Sequence, residues 1–242
     1  MSTTPNFLIL AAVLLIAGCA HDDTRHPTHS AVAPGGPAAV EAERALALAE
    51  AGDAGRGKVA YAVCSACHQP SGLGKSDGST PKLAGQHATV LIKQITDIRG
   101  DVRIVPTMHS FVRELRDPRD IADVAAYIEA LCNPPGNGRY GLSDADARIS
   151  EGRQLFARDC ADCHRDTGQG DKAKGYPVLA GQHFRYLVRQ MQDIRDGYRQ
   201  AADPDMVKTI KKHGNDKLQS IAAYLASLET PGTACEPVRA GR

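Results

Sequence analysis

The 242-residue chain has no tryptophan, four phenylalanines and seven tyrosines, so aromatic residues make up only 5% of it. Aromatic rings usually supply much of a globular core, and a chain this poor in them must fill its interior with something else. Charge of one sign is missing too: 29 basic against 28 acidic residues leave a formal net charge of +1. That balance argues against a nucleic-acid partner, because neutralising phosphates takes a basic face. No apolar run reaches the roughly 20 residues of a transmembrane helix. No long segment of the repeated part described below alternates apolar and polar residues as a strand does. With 24% charged and 42% hydrophobic residues, the composition is still that of an ordinary globular protein.

What is present begins with a short apolar stretch, Phe7 to Gly18, which fits the central segment of a secretory signal peptide. It ends Ile16-Ala17-Gly18-Cys19 and resembles the lipobox of bacterial lipoproteins, in which the cysteine becomes the lipidated first residue. The leading segment departs from the usual signal in carrying no Lys or Arg. Residues 1–18 are therefore read as a lipoprotein signal and Cys19 as the lipidation site, giving a periplasmic, membrane-tethered protein. In such lipoproteins Ala20, rather than an Asp, after the cysteine favours the outer membrane. Residues 19–51, rich in Pro, Gly and Ala at their centre, are read as a flexible tether.

The remainder repeats itself. Cys64-Ser65-Ala66-Cys67-His68 returns 96 positions later as Cys160-Ala161-Asp162-Cys163-His164, and at the same offset twelve of the 23 residues from Pro81 to Arg103 match Pro177 to Arg199. The shared heart is Leu-Ala-Gly-Gln-His, at 83–87 and 179–183. Two homologous domains follow, 52–133 and 147–230, joined by a Pro/Gly/Asn-rich linker over 134–146 and ending in a tail over 231–242. Both read as helical. Apolar spacings of three and four link Leu91, Ile95 and Ile98, and Leu187, Met191 and Ile194. A closing helix is announced by Asp117 at an N-cap and Pro118 at the first turn, followed by Ile121, Val124, Ala125, Ile128 and Leu131. Leu218, Ile221, Ala222, Leu225 and Leu228 repeat that stripe. The predicted fold class is all-α.

Cys-x-x-Cys-His is the attachment signature of c-type haem. The two thiols, Cys64 with Cys67 and Cys160 with Cys163, add across the vinyl groups, and His68 or His164 then reaches the iron as proximal ligand. A zinc site would need the two pairs to cooperate, whereas each lies in its own repeat with its own histidine. A redox disulfide of the thioredoxin type would need strands between helices. The expected cofactors are therefore two covalently bound c-type haems. For the sixth position the sequence offers Met108, after Pro106, and Met206, after Pro204, at equivalent places in loops before the closing helices. Met191 lies in a helical stripe and is expected in the core. His109 and His213 are rivals, and His87 and His183 are expected to cap a helix or line the haem surface.

Two such domains in tandem, each with Leu-Ala-Gly-Gln, a loop methionine and an Ala-Tyr closing helix, resemble the di-haem cytochrome c4 family over about residues 52–230. Related tandem domains form the cytochrome subunit of flavocytochrome c sulfide dehydrogenase. The resemblance implies two class I cytochrome c folds, each wrapped around one haem, with the haems brought near one another. It implies that Gly57 and Tyr61 pack on Tyr127, and Gly152 and Phe156 on Tyr224. It also implies that the carbonyls of Pro81 and Pro177 accept the proton of the proximal imidazole.

Cys132 and Cys235 remain. In an oxidising compartment they could pair with each other, or stay as two separate thiols. The preferred function is single-electron transfer between a donor complex and a terminal acceptor, because a six-coordinate haem changes oxidation state with little rearrangement. Two others stay open. One is a dedicated cytochrome subunit of a larger dehydrogenase. The other is a di-haem peroxidase or sulfur-compound oxidoreductase, with His109 or His213 as acid–base group above a vacated position. The aromatic shortage then has an explanation, since a haem is itself a large flat ring at the centre of each domain.

Overall fold

The computed structural model describes Met1, residues 36–134 and residues 138–229. The signal segment, Cys19 and Cys235 lie outside the described residues. The chain divides into two units, Met1–Ala33 and Pro34–Arg242, and the second contains both repeats. Apart from an isolated bridge between Asp171 and Tyr176, the described residues contain helices, turns and loops and no strand. Among them no helix is long and apolar enough to cross a membrane.

In the first repeat α2 (Ala54–Ala60) and α3 (Ala62–His68) lead into the haem motif, followed by α4 (Ala88–Arg99), α5 (Pro106–Arg113) and α6 (Pro118–Ala130). The second runs α7 (Ala145–Asp159), α8 (Ala161–His164), α9 (Phe184–Arg195), α10 (Pro204–Ile210) and α11 (Asn215–Ser227). The N-cap expected at Asp117 is there: its side chain accepts from the Asp120 amide at 3.0 Å, and Pro118 opens the helix. The predicted stripes are the cores. Ile121, Val124, Ala125 and Ile128 are buried with Leu91 and Ile92, while Leu218, Ile221, Ala222 and Leu225 are buried with Leu187, Met191 and Ile194. Each Leu or Ile withdrawn from water in this way contributes about 1.5–3 kcal/mol.

The first helix of each domain crosses the last at a glycine. A Cβ on Gly57 would lie 1.9 Å from the Asp123 carbonyl oxygen, and one on Gly152 would lie 1.8 Å from that of Ser220. The close crossing brings Tyr61 onto Tyr127, with ring centroids 5.2 Å apart, and Phe156 onto Tyr224, 5.6 Å apart. Both contacts are those the family resemblance implied.

One segment departs from expectation. Within the stretch read as a tether, Pro37–Ala49 forms α1, with Pro37 in its first turn. Its buried Val40 and Ala47 face the first domain, and Arg44 pairs with Asp97 on α4 while Glu43 pairs with Arg99. Ala, Leu and Glu are strong helix formers, and Arg44 meets a carboxylate 53 residues away in the chain. That distant partner could not be read from the composition of the segment.

Candidate functional site

On α3 the side chains of Cys64, Cys67 and His68 stand at i, i+3 and i+4, which places them on one side of a single turn. In the second repeat Cys160 stands at the cap of α8, with Cys163 and His164 on it. All four thiols are free; Cys64 and Cys160 are half-buried, Cys67 and Cys163 exposed. Burial pushes the Cys64 thiol up to about 11 and the Cys160 thiol to about 12.

Both histidines are buried. His68 Nδ1 donates to the carbonyl of Pro81 at 3.0 Å, and His164 Nδ1 to that of Pro177 at 3.4 Å. A carbonyl can only accept, so Nδ1 carries the proton and the lone pair is on Nε2. Burial lowers the pKa of both rings, opposed by these bonds, which favours the neutral imidazole. Two free thiols beside a neutral imidazole of fixed tautomer form a donor set that fits covalent haem.

Met108 and Met206 are half-buried and lie on the short helices α5 and α10 rather than in loops. The reason is local. Pro106 and Pro204 fit the first helical turn, and Asp203 caps α10 by accepting from the amides of Asp205 and Met206. Met206 packs on the core cluster that Cys160 also touches. Of the rivals, His109 Nε2 faces Asp101 Oδ1 at 3.0 Å and His213 Nε2 faces Asp159 Oδ2 at 3.2 Å. Met191 is buried in the core as expected.

A family model, Cytochrome c, matches residues 54–131 and 149–229. Cytochrome c4 of Pseudomonas aeruginosa is 34% identical over 188 residues, covering 74% of this chain and 90% of the relative. The chain belongs to the di-haem cytochrome c4 family. The crystal structure of reduced recombinant cytochrome c4 from Pseudomonas stutzeri matches with a TM-score of 0.66 and 30% identity, covering 74% of this chain and all of that one. A protein named thiosulfate dehydrogenase electron acceptor, from Stutzerimonas stutzeri, is 30% identical and covers 69% of this chain and 79% of its own length. As a di-haem electron-transfer cytochrome, the chain carries two covalently bound c-type haems.

In this family member the repeated Gln-His pair has a role that the sequence reading missed. His87 and His183 cap no helix through their side chains. Each instead reaches across the domain boundary: His87 Nε2 donates to the Gln169 carbonyl at 2.9 Å, and His183 Nε2 to that of Leu73 at 2.8 Å. The glutamines do the same. Gln86 exchanges two bonds with Val178, and Gln182 two with Lys82. Nearby, Arg103 and Arg199 both donate to Gln94 and Gln190, one glutamine from each domain. The signal was available in the recurrence of Leu-Ala-Gly-Gln-His, but not the partners.

Cys132 is disulfide-bonded.

Proposed function

We propose that the protein is a periplasmic electron carrier, not an enzyme, in which Cys64 with Cys67 and Cys160 with Cys163 hold the two haems. His68 and Met108 are the axial ligands in the first domain, His164 and Met206 in the second. The carbonyls of Pro81 and Pro177 orient the proximal rings. The observation that carries this reading is the pairing of each buried histidine with a proline carbonyl, which leaves Nε2 free to bind iron. The bound haem supplies an iron that cycles between ferric and ferrous. The chain's part is to keep both ligands in place across that change, and a soft thioether favours the ferrous form and raises the potential.

Cys19 is proposed to carry lipid, favouring the outer membrane, and Cys132 to pair with Cys235. Partners are a donor complex and a terminal acceptor, reached through small, transient encounters. The test is the ferric spectrum. A low-spin signal with the thioether-to-iron band is expected, half of that band disappearing in Met108→Ala and half in Met206→Ala. A high-spin ferric protein, or a band untouched by either change, would overturn the ligand set.

A second reading is favoured by the relative named as an electron acceptor of thiosulfate dehydrogenase. It makes this chain the dedicated acceptor of a sulfur-compound dehydrogenase. A stable stoichiometric complex on purification supports it, while a monomer reduced by several donors supports the general carrier.

A further inference from the structure

We propose that Gln182 and Gln86 are positioning residues, each strengthening the hydrogen bond that holds the proximal histidine of the opposite domain, so that domain docking sets the reduction potentials of both haems. The inference rests on the ligand assignment of the preceding subsection.

One peptide group links each glutamine to the proximal histidine of the other domain. The carbonyl of Pro81 accepts from His68 Nδ1 at 3.0 Å, and the N–H at the other end of that same peptide, Lys82 N, donates to Gln182 Oε1 at 3.0 Å. The second domain repeats the arrangement: His164 Nδ1 donates to the Pro177 carbonyl at 3.4 Å, and Val178 N donates to Gln86 Oε1 at 2.9 Å. A peptide whose N–H is bonded carries more negative charge on its oxygen and accepts more strongly, because hydrogen bonds in a chain polarise one another. A stronger acceptor at Nδ1 makes the imidazole a more basic ligand. Greater ligand basicity stabilises the ferric state and lowers the potential.

Each glutamine is held in place for this. Gln182 Nε2 donates back to the Lys82 carbonyl at 2.8 Å, and Gln86 Nε2 to that of Val178 at 3.0 Å. The neighbouring histidines tie down the start of the same segments, His183 at Leu73 and His87 at Gln169. Water is a poor substitute on the first-domain side, where Gln182 is 8% and Lys82 5% exposed. Gln86 is half-buried, and the bond it supports is the longer one, so its influence is the smaller of the two.

The experiment uses the full di-haem protein with Gln182→Met and Gln86→Met, near-isosteric changes that remove the bonds and keep the volume. Two quantities are followed. The potential of each haem is read from its own methyl resonances during a stepwise redox titration, and the Nδ1–H resonances of His68 and His164 are read after isotope labelling of histidine. Gln182→Met is expected to shift the His68 Nδ1–H signal and raise the first haem's potential by a roughly threefold change in its redox equilibrium. That is about 28 mV for one electron, at 59 mV per tenfold. The second haem stays unchanged. Gln86→Met gives the mirrored, smaller result. Both potentials moving together, movement of the haem in the substituted domain, or no movement at all would each overturn the proposal. The ligand assignment is checked separately in the unsubstituted protein by its low-spin spectrum and thioether band. If these are present and the crossed shift is absent, only the glutamine proposal fails.

Discussion

Arg44 on the N-terminal helix α1 reaches Asp97 on α4 at 2.5 Å, and Asp97 is only 1% exposed. The other oxygen of that carboxylate takes Lys93 at 2.6 Å, and Lys93 also donates to the Ala201 carbonyl of the second domain at 3.0 Å. One buried carboxylate thus joins the helix before the repeats to both repeats. Removing a partner from a buried ion pair typically costs about 3–5 kcal/mol. Lys93 remains here, so Arg44→Met is expected to cost about 2 kcal/mol, measured by denaturant unfolding. Limited proteolysis within α1 should quicken in the same variant. A variant as stable and as resistant as the parent would show that the pair does not dock α1.

The glycine crossings leave no room for a side chain. Gly57→Ala and Gly152→Ala each set a methyl group within 2 Å of a backbone carbonyl oxygen, so the helices must separate. Each change is expected to cost about 3 kcal/mol or more, beyond ordinary overpacking. Thermal melts followed by haem absorbance check it. The loss should be confined to the substituted domain.

Lys82 is a buried ammonium whose Nζ donates to Asn133 Oδ1 at 2.7 Å, and burial brings its pKa down to about 8. In the unfolded chain a lysine titrates near 10.4. Between those values the unfolded state holds more protons than the folded one, so stability rises with pH across that window. The gain is on the order of 3 kcal/mol over the whole window. Unfolding free energies at pH ~7 and pH ~10, compared between the parent and Lys82→Met, measure it. The variant should lose this slope, and an equal slope in both would assign it to another group.

The disulfide at Cys132 is expected to close on Cys235. Peptide mapping without reduction should recover those two residues in one linked fragment, with Cys19 carrying lipid instead. Cys132→Ser is expected to cost about 4–5 kcal/mol through the loop of roughly 100 residues it opens. A fragment linking Cys132 to Cys19 would exclude both the pairing and the anchor.

Much of the site was legible before any coordinates. The motif residues Cys64, Cys67 and His68 lie within five positions, so their chemistry is written in consecutive residues. The closing helix was legible for the same reason, because Asp117, Pro118 and the stripe from Ile121 to Ile128 all act within one or two turns. Met108 and Met206 were singled out as candidate ligands from the repeat, but their helices were not foreseen, since each is only seven or eight residues long. The docked α1 was misread as tether because its composition suits either state, and its choice is made by Asp97 and Arg99.

The sequence by itself determined that there are two copies of one helical domain and which residues bear thiol, imidazole and thioether. Those properties depend on covalent chemistry and on the helical period, both of which act over a few residues. Only the tertiary structure decided what the repeated Gln-His pair does. His87 and Gln169 stand 82 residues apart in the chain, His183 and Leu73 stand 110 apart, and their bonds form only where the two domains meet. A glutamine or histidine before a helix can cap it, face solvent or cross a boundary with equal local plausibility. The choice belongs to the surface that arrives opposite it.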